Sequence, residues 1–391
     1  MRPLYWAWLE FTLWFSALVI GLWITKGLTN WWQPLVMWLI LVLCFVVTKC
    51  FGYPGEALPL VGFLVFIGWI FLARLDQKWA EQQFWGFLIG MLAYCIALFG
   101  NFLSFDTPRL FAGGSLALLI LTLLFGQRIG GAQAWLTVAG LRFQPVEISR
   151  IFLVLYLGRE LSGKPLNWKN ILVLGIFCCL LILQRDLGPA LLIFLVFCSL
   201  SLYTHFSWYT LFGYLGTIIL GFFIAYLWFP HFTSRVLAWV WPWNYPDSKG
   251  YQILQGLFAL NAGGFVGTGF GSGVVGVIPA NHTDYLFAVI GEEFGLIGTF
   301  SLLLVYLALA FWAIQLLTQV EDAARRTMGL GLTLLLHGQV FLVVGGILRL
   351  LPFTGMTLPF VSYGSTSLVA QFFMLGLITS LGGAPDEEKA S

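Results

Sequence analysis

Apolar positions run along this chain in stretches long enough to cross a bilayer, each bounded by charge, Gly or Pro. A helix needs about 20 mostly apolar residues to span ~30 Å of hydrocarbon. On that measure the pattern predicts about twelve spans, at 7–25, 32–49, 57–73, 84–104, 110–126, 147–162, 170–183, 188–204, 207–229, 295–317, 327–348 and 366–382. The pair 170–183 and 188–204 is short and divided only by "QRDLG", which reads as a tight turn or a break. The predicted fold class is an all-α polytopic membrane protein, with residues 1–391 forming a single integral membrane domain. Polar, irregular interruptions fall at 127–146, 184–187, 230–294 and 349–365, and strict alternation puts all four on one face of the membrane. Irregular backbone beside hydrocarbon is tolerated where it lines a cavity or packs inside protein, so that face is expected to hold the site.

Composition sharpens this picture. The chain is 60% hydrophobic, 17% aromatic and only 9% charged, far more apolar than an ordinary soluble protein. A net charge of +2, with no basic tail, gives no reason to expect a nucleic-acid partner. The six cysteines sit within or at the ends of apolar runs without CxxC spacing, and read as small hydrophobes. His205, His231 and His337 lack metal-ligand spacing. Residues 1–25 carry one early Arg, a long aromatic-rich core and no small-residue cleavage site, so the first span is expected to be retained. Basic residues divide evenly between the two sides, and charge alone therefore does not orient the chain.

The longest interruption, 230–294, is too long to be a mere connector. Its "LNAGGFVGTGFGSGVVG" could cradle an anion through backbone N–H groups, but no strand precedes it and no GK[ST] ends it. The alternative is that these glycines let backbone pack closely at the membrane surface. The following "IPANHTDYLFAVIGEEFG" concentrates Asp284, Glu292 and Glu293 beside apolar runs. Read as a helix, it aligns Asp284, Ala288, Gly291 and Gly295 on one stripe. Thr283 or Asp284 then reads first as the N-cap of that helix, with a reactive carboxylate at Asp284 as the alternative.

"LLPFTGMTLPFVSYGSTSLVAQFFMLGLI" at 350–378 resembles the C-terminal signature of the shape, elongation, division and sporulation family, the bacterial FtsW/RodA/SpoVE proteins. The likeness recurs in order. "GGAQAWLTVAGLRFQPVEISR" at 130–150 is similar to the family's Trp segment and Gln-Pro-Ser-Glu motif, and "LQRDLGPAL" at 183–191 to its Gln-Pro-Asp-Leu-Gly motif. Arg235 with Pro242, "GYQILQG" at 250–256, "NAGGFVGTGFGSG" at 261–273 and "HTDYLFAVIGEEFGLIG" at 282–298 complete the series. Departures are Val146 for Ser, Arg150 for Lys, Arg185 for Pro, and Gly256, Val343 and Ser365 for a common Ser, Asn and Gly; Arg349 stands where Gly is common.

The resemblance implies a peptidoglycan glycosyltransferase that polymerises lipid II at the outer face of the bacterial cytoplasmic membrane, releasing undecaprenyl pyrophosphate. It implies a class B penicillin-binding protein, a transpeptidase, as partner, and cytoplasmic N- and C-termini. Family members usually have ten spans, which makes 7–49 a two-helix N-terminal addition to a core at 57–382. That addition, poor in charge, is expected to pack on the rim among membrane lipids. Such chemistry needs a base near the attacking hydroxyl and positive charge near the pyrophosphate. By the family's pattern Asp284 is the catalytic base. Arg150 and Arg235 are candidates to contact the pyrophosphate, since a guanidinium is a planar fork of donors, although interfacial snorkelling explains each as well. Glu147, one turn before Arg150, pairs with it or touches substrate. Trp135, Gln144, Asp186, Gln252, Thr283, Arg349 and Ser362 complete the expected substrate-binding set, with Asp186 also readable as a turn residue. The sequence reveals no cofactor, although a divalent cation, Mg2+ or Mn2+, could bridge the leaving pyrophosphate. A lipid II flippase or transporter and a noncatalytic scaffold of a cell-wall complex are the other classes. The inverted repeats and midplane charges of a secondary transporter are not visible.

Overall fold

The structure, a computed structural model, describes residues 32–104, 107–138, 141–163 and 167–383. Each predicted span from 32–49 onward is met by a helix; the span at 7–25 lies outside the described residues. In chain order these are α1 (Trp32–Cys50), α2 (Ala57–Leu75), α3 (Gln77–Phe99), α4 (Pro108–Phe125), α5 (Val146–Leu161), α6 (Trp168–Leu183), α7 (Leu187–Thr204) and α8 (Trp208–Trp228). Two short helices within the long interruption follow, α9 (Pro230–Val240) and α10 (Tyr251–Gly263). The series closes with α11 (Leu286–Thr318), α12 (Ala323–Ile347) and α13 (Ser365–Ser380). Eight of them are long and apolar enough to cross a membrane, and α6 and α13 are shorter apolar helices. The protein is an integral membrane protein.

Two features depart from the hydropathy pattern. The helix expected to start at 84 begins at 77, because Asp76 accepts a hydrogen bond from Lys78 N at 2.9 Å and caps the polar first turn. The interruption after α4 folds into a three-stranded antiparallel sheet, β1 (Gln127–Ile129), β2 (Ala132–Val138) and β3 (Leu141–Phe143), in the order β1-β2-β3. Gly130 and Gly131, with φ of 62° and 89°, make the β1–β2 turn that L residues would resist.

The chain divides into two compact units. Among the described residues the first takes 32–102, 301–321 and 359–383. In it α13 lies against α3 so closely that a Cβ on Gly376 would sit 2.4 Å from Tyr94 O. Gln371 Oε1 accepts from Phe360 N at 2.7 Å, and Tyr306 donates its hydroxyl proton to Pro359 O. α1 is tied in by polar contacts: Trp69 Nε1 donates to Gln33 Oε1 at 3.3 Å, and the Thr48 and Tyr94 hydroxyls meet at 3.1 Å.

The second unit comprises 103–300 and 322–358 and is organised around α5. Ser115 and Ser149 hydroxyls donate crosswise to each other's backbone carbonyls, at 2.9 and 2.7 Å, which locks α4 to α5. On the other side a Cβ at Gly158 would fall 2.6 Å from Met328 Cα, so α5 and α12 meet nearly backbone to backbone. α8 has no buried residue and exposes Trp208, Phe212, Phe223 and Trp228, as a lipid-facing helix requires.

Candidate functional site

Within the second unit, the α6–α7 turn carries the "QRDLG" residues. Arg185 takes φ 61°, and the turn is held twice by Gln184: its Nε2 donates to Leu119 O at 2.8 Å and its carbonyl accepts from Gln133 N at 2.9 Å. This fixes Asp186 immediately ahead of α7. A Cβ on Gly188 would lie 2.9 Å from Thr354 O, so the turn packs directly on the segment 353–356.

That segment is the hub. Arg235 Nη1 donates to Thr354 O at 3.0 Å and Phe353 O at 3.3 Å, with the guanidinium 6.0 Å from the Phe353 ring centroid. Gly355 has φ 72°, and its absent Cβ would stand 3.4 Å from Arg235 Nη2 and 3.8 Å from Asp284 Oδ2. Arg235 and Asp284 therefore face each other across a glycine, near enough to share one substrate. Gly355→Ala forces an L residue into the left-handed region, which costs about 1–2 kcal/mol, and drives a methyl between the two charges. A lowered thermal midpoint of the detergent-solubilised protein is the expected result, measured against the parental chain.

Asp284 is presented by a turn, not by a helix. Thr283 N and Tyr285 N both donate to Ala280 O at 3.2 Å, Ala280 has φ 52°, and Gln252 Nε2 donates to Pro279 O at 3.1 Å. α11 begins at Leu286, with Ala288 N bonded to Tyr285 O. The helical stripe from Asp284 to Gly295 is thus cut at both ends, since Gly295 is itself a break with φ 62° and ψ −160°. Tyr285 is buried, its ring 5.1 Å from that of Phe353. A Cβ on Gly256 would lie 2.4 Å from the Tyr285 ring, which explains why Gly stands there.

Burial pushes the Asp284 carboxyl up to about 6, against the opposing pull of the Thr283 hydrogen bond and the Arg235 charge. Asp186 is likewise pushed up to about 6, by burial and then by Glu147, while Arg235 and Arg150 pull it down. Burial lowers the Arg235 guanidinium, and Asp186 and Asp284 counter it. Glu147 and Arg150 form an ion pair one turn apart on α5, both buried. Arg150 Nε and Nη1 have no hydrogen-bond partner among the described residues, nor has Asp186 Oδ2. Asp284, Arg235, Asp186, Arg150 and Glu147 thus form one electrostatic chain.

The other candidates are placed around it or away from it. Trp135 is half-buried on β2 opposite Gln127, and Gln144 starts α5 by accepting Glu147 N at 3.2 Å. Thr283 donates its hydroxyl to Ala280 O at 3.4 Å. Arg349 closes the end of α9, donating to Trp239 O and Val240 O at 2.7 and 2.9 Å, a basic side chain satisfying last-turn carbonyls. Ser362 belongs to the first unit, where its carbonyl accepts from Gln83 Nε2 at 3.1 Å. Sequence reasoning missed Phe353, Thr354 and Gly355; the signal was the Gly of "PFTG" after a helix, which marks a backbone position needing positive φ.

The family model of the FtsW, RodA and SpoVE cell cycle proteins matches residues 58–384. The peptidoglycan glycosyltransferase RodA of Mycobacterium tuberculosis strain H37Rv is 31% identical over 365 residues, covering 83% of this chain and 76% of the relative. The probable peptidoglycan glycosyltransferase FtsW of Geobacter metallireducens is 32% identical over 68% of this chain and 76% of its own. Among solved structures, a chain from work on the coordination of polymerization and crosslinking by a peptidoglycan synthase complex superposes with TM-score 0.73 at 28% identity, covering 85% of this chain and 98% of that one. The rod shape determining protein RodA of Thermus thermophilus superposes with TM-score 0.63 at 27% identity, over 85% and 97% of the two chains.

Proposed function

The chain belongs to the FtsW, RodA and SpoVE family of cell cycle proteins, and from that membership we propose that it is a peptidoglycan glycosyltransferase, polymerising lipid II into glycan strands with undecaprenyl pyrophosphate as leaving group. The observation that carries the reading is the carboxylate of Asp284 facing the Arg235 guanidinium across Gly355. Asp284, pushed up to about 6, is ionised at neutral pH yet basic enough to take a proton from a sugar hydroxyl. The hydroxyl oxygen attacks the anomeric carbon of the lipid-linked glycan, and the bond from that carbon to the pyrophosphate oxygen breaks. The bonding pair leaves with the pyrophosphate, and the proton rests on Asp284 until solvent takes it. Arg235 offers positive charge to the departing oxygens, and the unused donors of Arg150 offer a second contact. Among the described residues no group of three His, Cys, Asp or Glu is arranged to hold a metal. If a Mg2+ or Mn2+ ion were bound, Asp186, whose Oδ2 has no hydrogen-bond partner among the described residues, would help to hold it, and the ion would supply positive charge to the leaving group. A pure scaffold would have no use for a half-buried carboxylate beside a guanidinium. The test is purified protein incubated with lipid II, with and without a class B penicillin-binding transpeptidase as its crosslinking partner. Glycan strands support the reading, and their absence in both arms contradicts it.

We further propose that the site faces outside and both termini the cytoplasm. The alternation of spans, which assigns the four irregular segments to one face, supports this. Impermeant thiol labelling in intact cells is expected to modify a cysteine placed in "WNYPDSKG" and to leave one in "EDAARR" untouched; the opposite pattern inverts the topology.

A further inference from the structure

We propose that Glu292 and Glu293 are positioning residues whose carboxylates hold the glycine-rich segment 264–274 in a break of α11, and thereby fix the following turn that delivers Asp284. This rests on the reading of Asp284 as the base. Breaking a helix leaves N–H and C=O groups without intrahelical partners. At Gly295 the glycine-rich segment supplies them. Leu296 N donates to Gly264 O at 3.0 Å and Ile297 N to Phe265 O at 3.2 Å. In the other direction Thr268 N and Gly269 N donate to Glu292 O and Glu293 O, both at 3.0 Å. The two side chains then grip the same segment: Glu293 Oε2 accepts from Gly271 N at 2.9 Å and Glu292 Oε1 from Val274 N at 2.8 Å.

The fit demands glycine. A Cβ would stand 1.9 Å from Gly291 O at Gly263, 2.2 Å from Glu293 O at Gly267 and 2.4 Å from Gly267 N at Gly295. The N–H groups of residues 268, 269, 271 and 274 are spent on protein acceptors, so the segment is a splint and not an anion cradle. Both glutamates are buried, 5% and 1% exposed, and a carboxylate bonded to N–H is a stronger acceptor than a neutral group. Ten residues beyond the Val274 contact the chain reaches Asp284, anchored on the way by Gln252. The two glutamates, conspicuous in the sequence as charges beside apolar runs, therefore act through backbone.

The test compares parental protein with Glu292→Leu, Glu293→Leu, Glu292→Gln, Glu293→Gln and Val274→Pro, reading lipid II polymerisation and amide hydrogen exchange over 264–285 in folded material. Leucine removes the acceptor. Faster exchange and roughly 100-fold slower polymerisation are expected, the scale of an ångström-sized displacement of a catalytic group. Gln keeps an acceptor oxygen, so both Gln variants should recover most of the rate and protection. Val274→Pro deletes the N–H that Glu292 accepts while leaving both glutamates in place, and should behave like Glu292→Leu, which keeps the test open if the Leu variants fail to fold. Parental exchange and rate in the Leu and Pro variants would overturn the proposal, as would Gln variants as slow as Leu. Failure of the underlying reading is separate: it is seen as an inactive parental protein or a fully active Asp284→Asn variant, whatever the exchange.

Discussion

Arg235→Gln is expected to slow lipid II polymerisation by about 10²–10³-fold, the usual loss when one donor to developing negative charge is removed. The side chain is half-buried and spends Nη1 on Phe353 O and Thr354 O. The two bonds share the single Nη1 donor, and a bond from a charged donor is worth roughly 1.5–3 kcal/mol. Folded protein should therefore persist, and the rate should carry the effect. A second signature follows from charge. Against burial, the Thr283 hydroxyl and then the Arg235 charge hold the Asp284 carboxyl down. Burial lowers the pKa of His282 beside it and raises that of Tyr285. Removing the guanidinium raises Asp284 above about 6. A base works ionised, so activity is lost as pH falls through its pKa, and the acid limb of the rate profile should move to higher pH in Arg235→Gln. An unmoved limb would separate Arg235 from Asp284.

Much of the fold is legible in hydropathy because lipid imposes a length: runs of about 20 apolar residues have few alternatives to a spanning helix. The limits of that logic lie where polar atoms settle the backbone. The Asp76 cap extends α3 by a polar turn, and the Gly130-Gly131 turn nucleates a sheet too small to register as alternation. At the site, the charged residues were visible as scarce carboxylates and guanidiniums at span ends. Their support was not. Thr354 and Phe353 act through carbonyls, and Gly355 acts by lacking a Cβ, so none of the three carries a side-chain signature. Glu292 and Glu293 stand out by charge, but their partners are amides 18 and 22 residues away, which no local spacing reveals. Arg349 shows the converse, a basic residue at the expected face that closes a helix end.

Asp284→Asn is expected to abolish polymerisation while leaving the protein folded. Asn keeps the size and a hydrogen-bonding oxygen, so the turn on Ala280 and the packing of Tyr285 should survive. It accepts no proton, and loss of a general base costs about 10²–10⁴-fold; the Arg235 guanidinium also loses its facing charge. Stability argues in the same direction. The folded-state carboxyl lies at about 6, above its ordinary value, so burial disfavours the ionised form from the usual carboxylate range upward through neutral pH. A neutral Asn removes that penalty and should fold at least as well. Folded amount measured beside the rate then separates inactivity from unfolding. Glu292→Gln and Glu293→Gln, which keep an acceptor for the splint, should remain far more active. The most direct measurement is the initial rate and length of glycan strands made from lipid II at neutral pH by parental and Asp284→Asn protein, matched for folded amount. Long strands from the parental protein and none from the variant are predicted; a folded Asp284→Asn protein making long strands at near the parental rate would contradict the account.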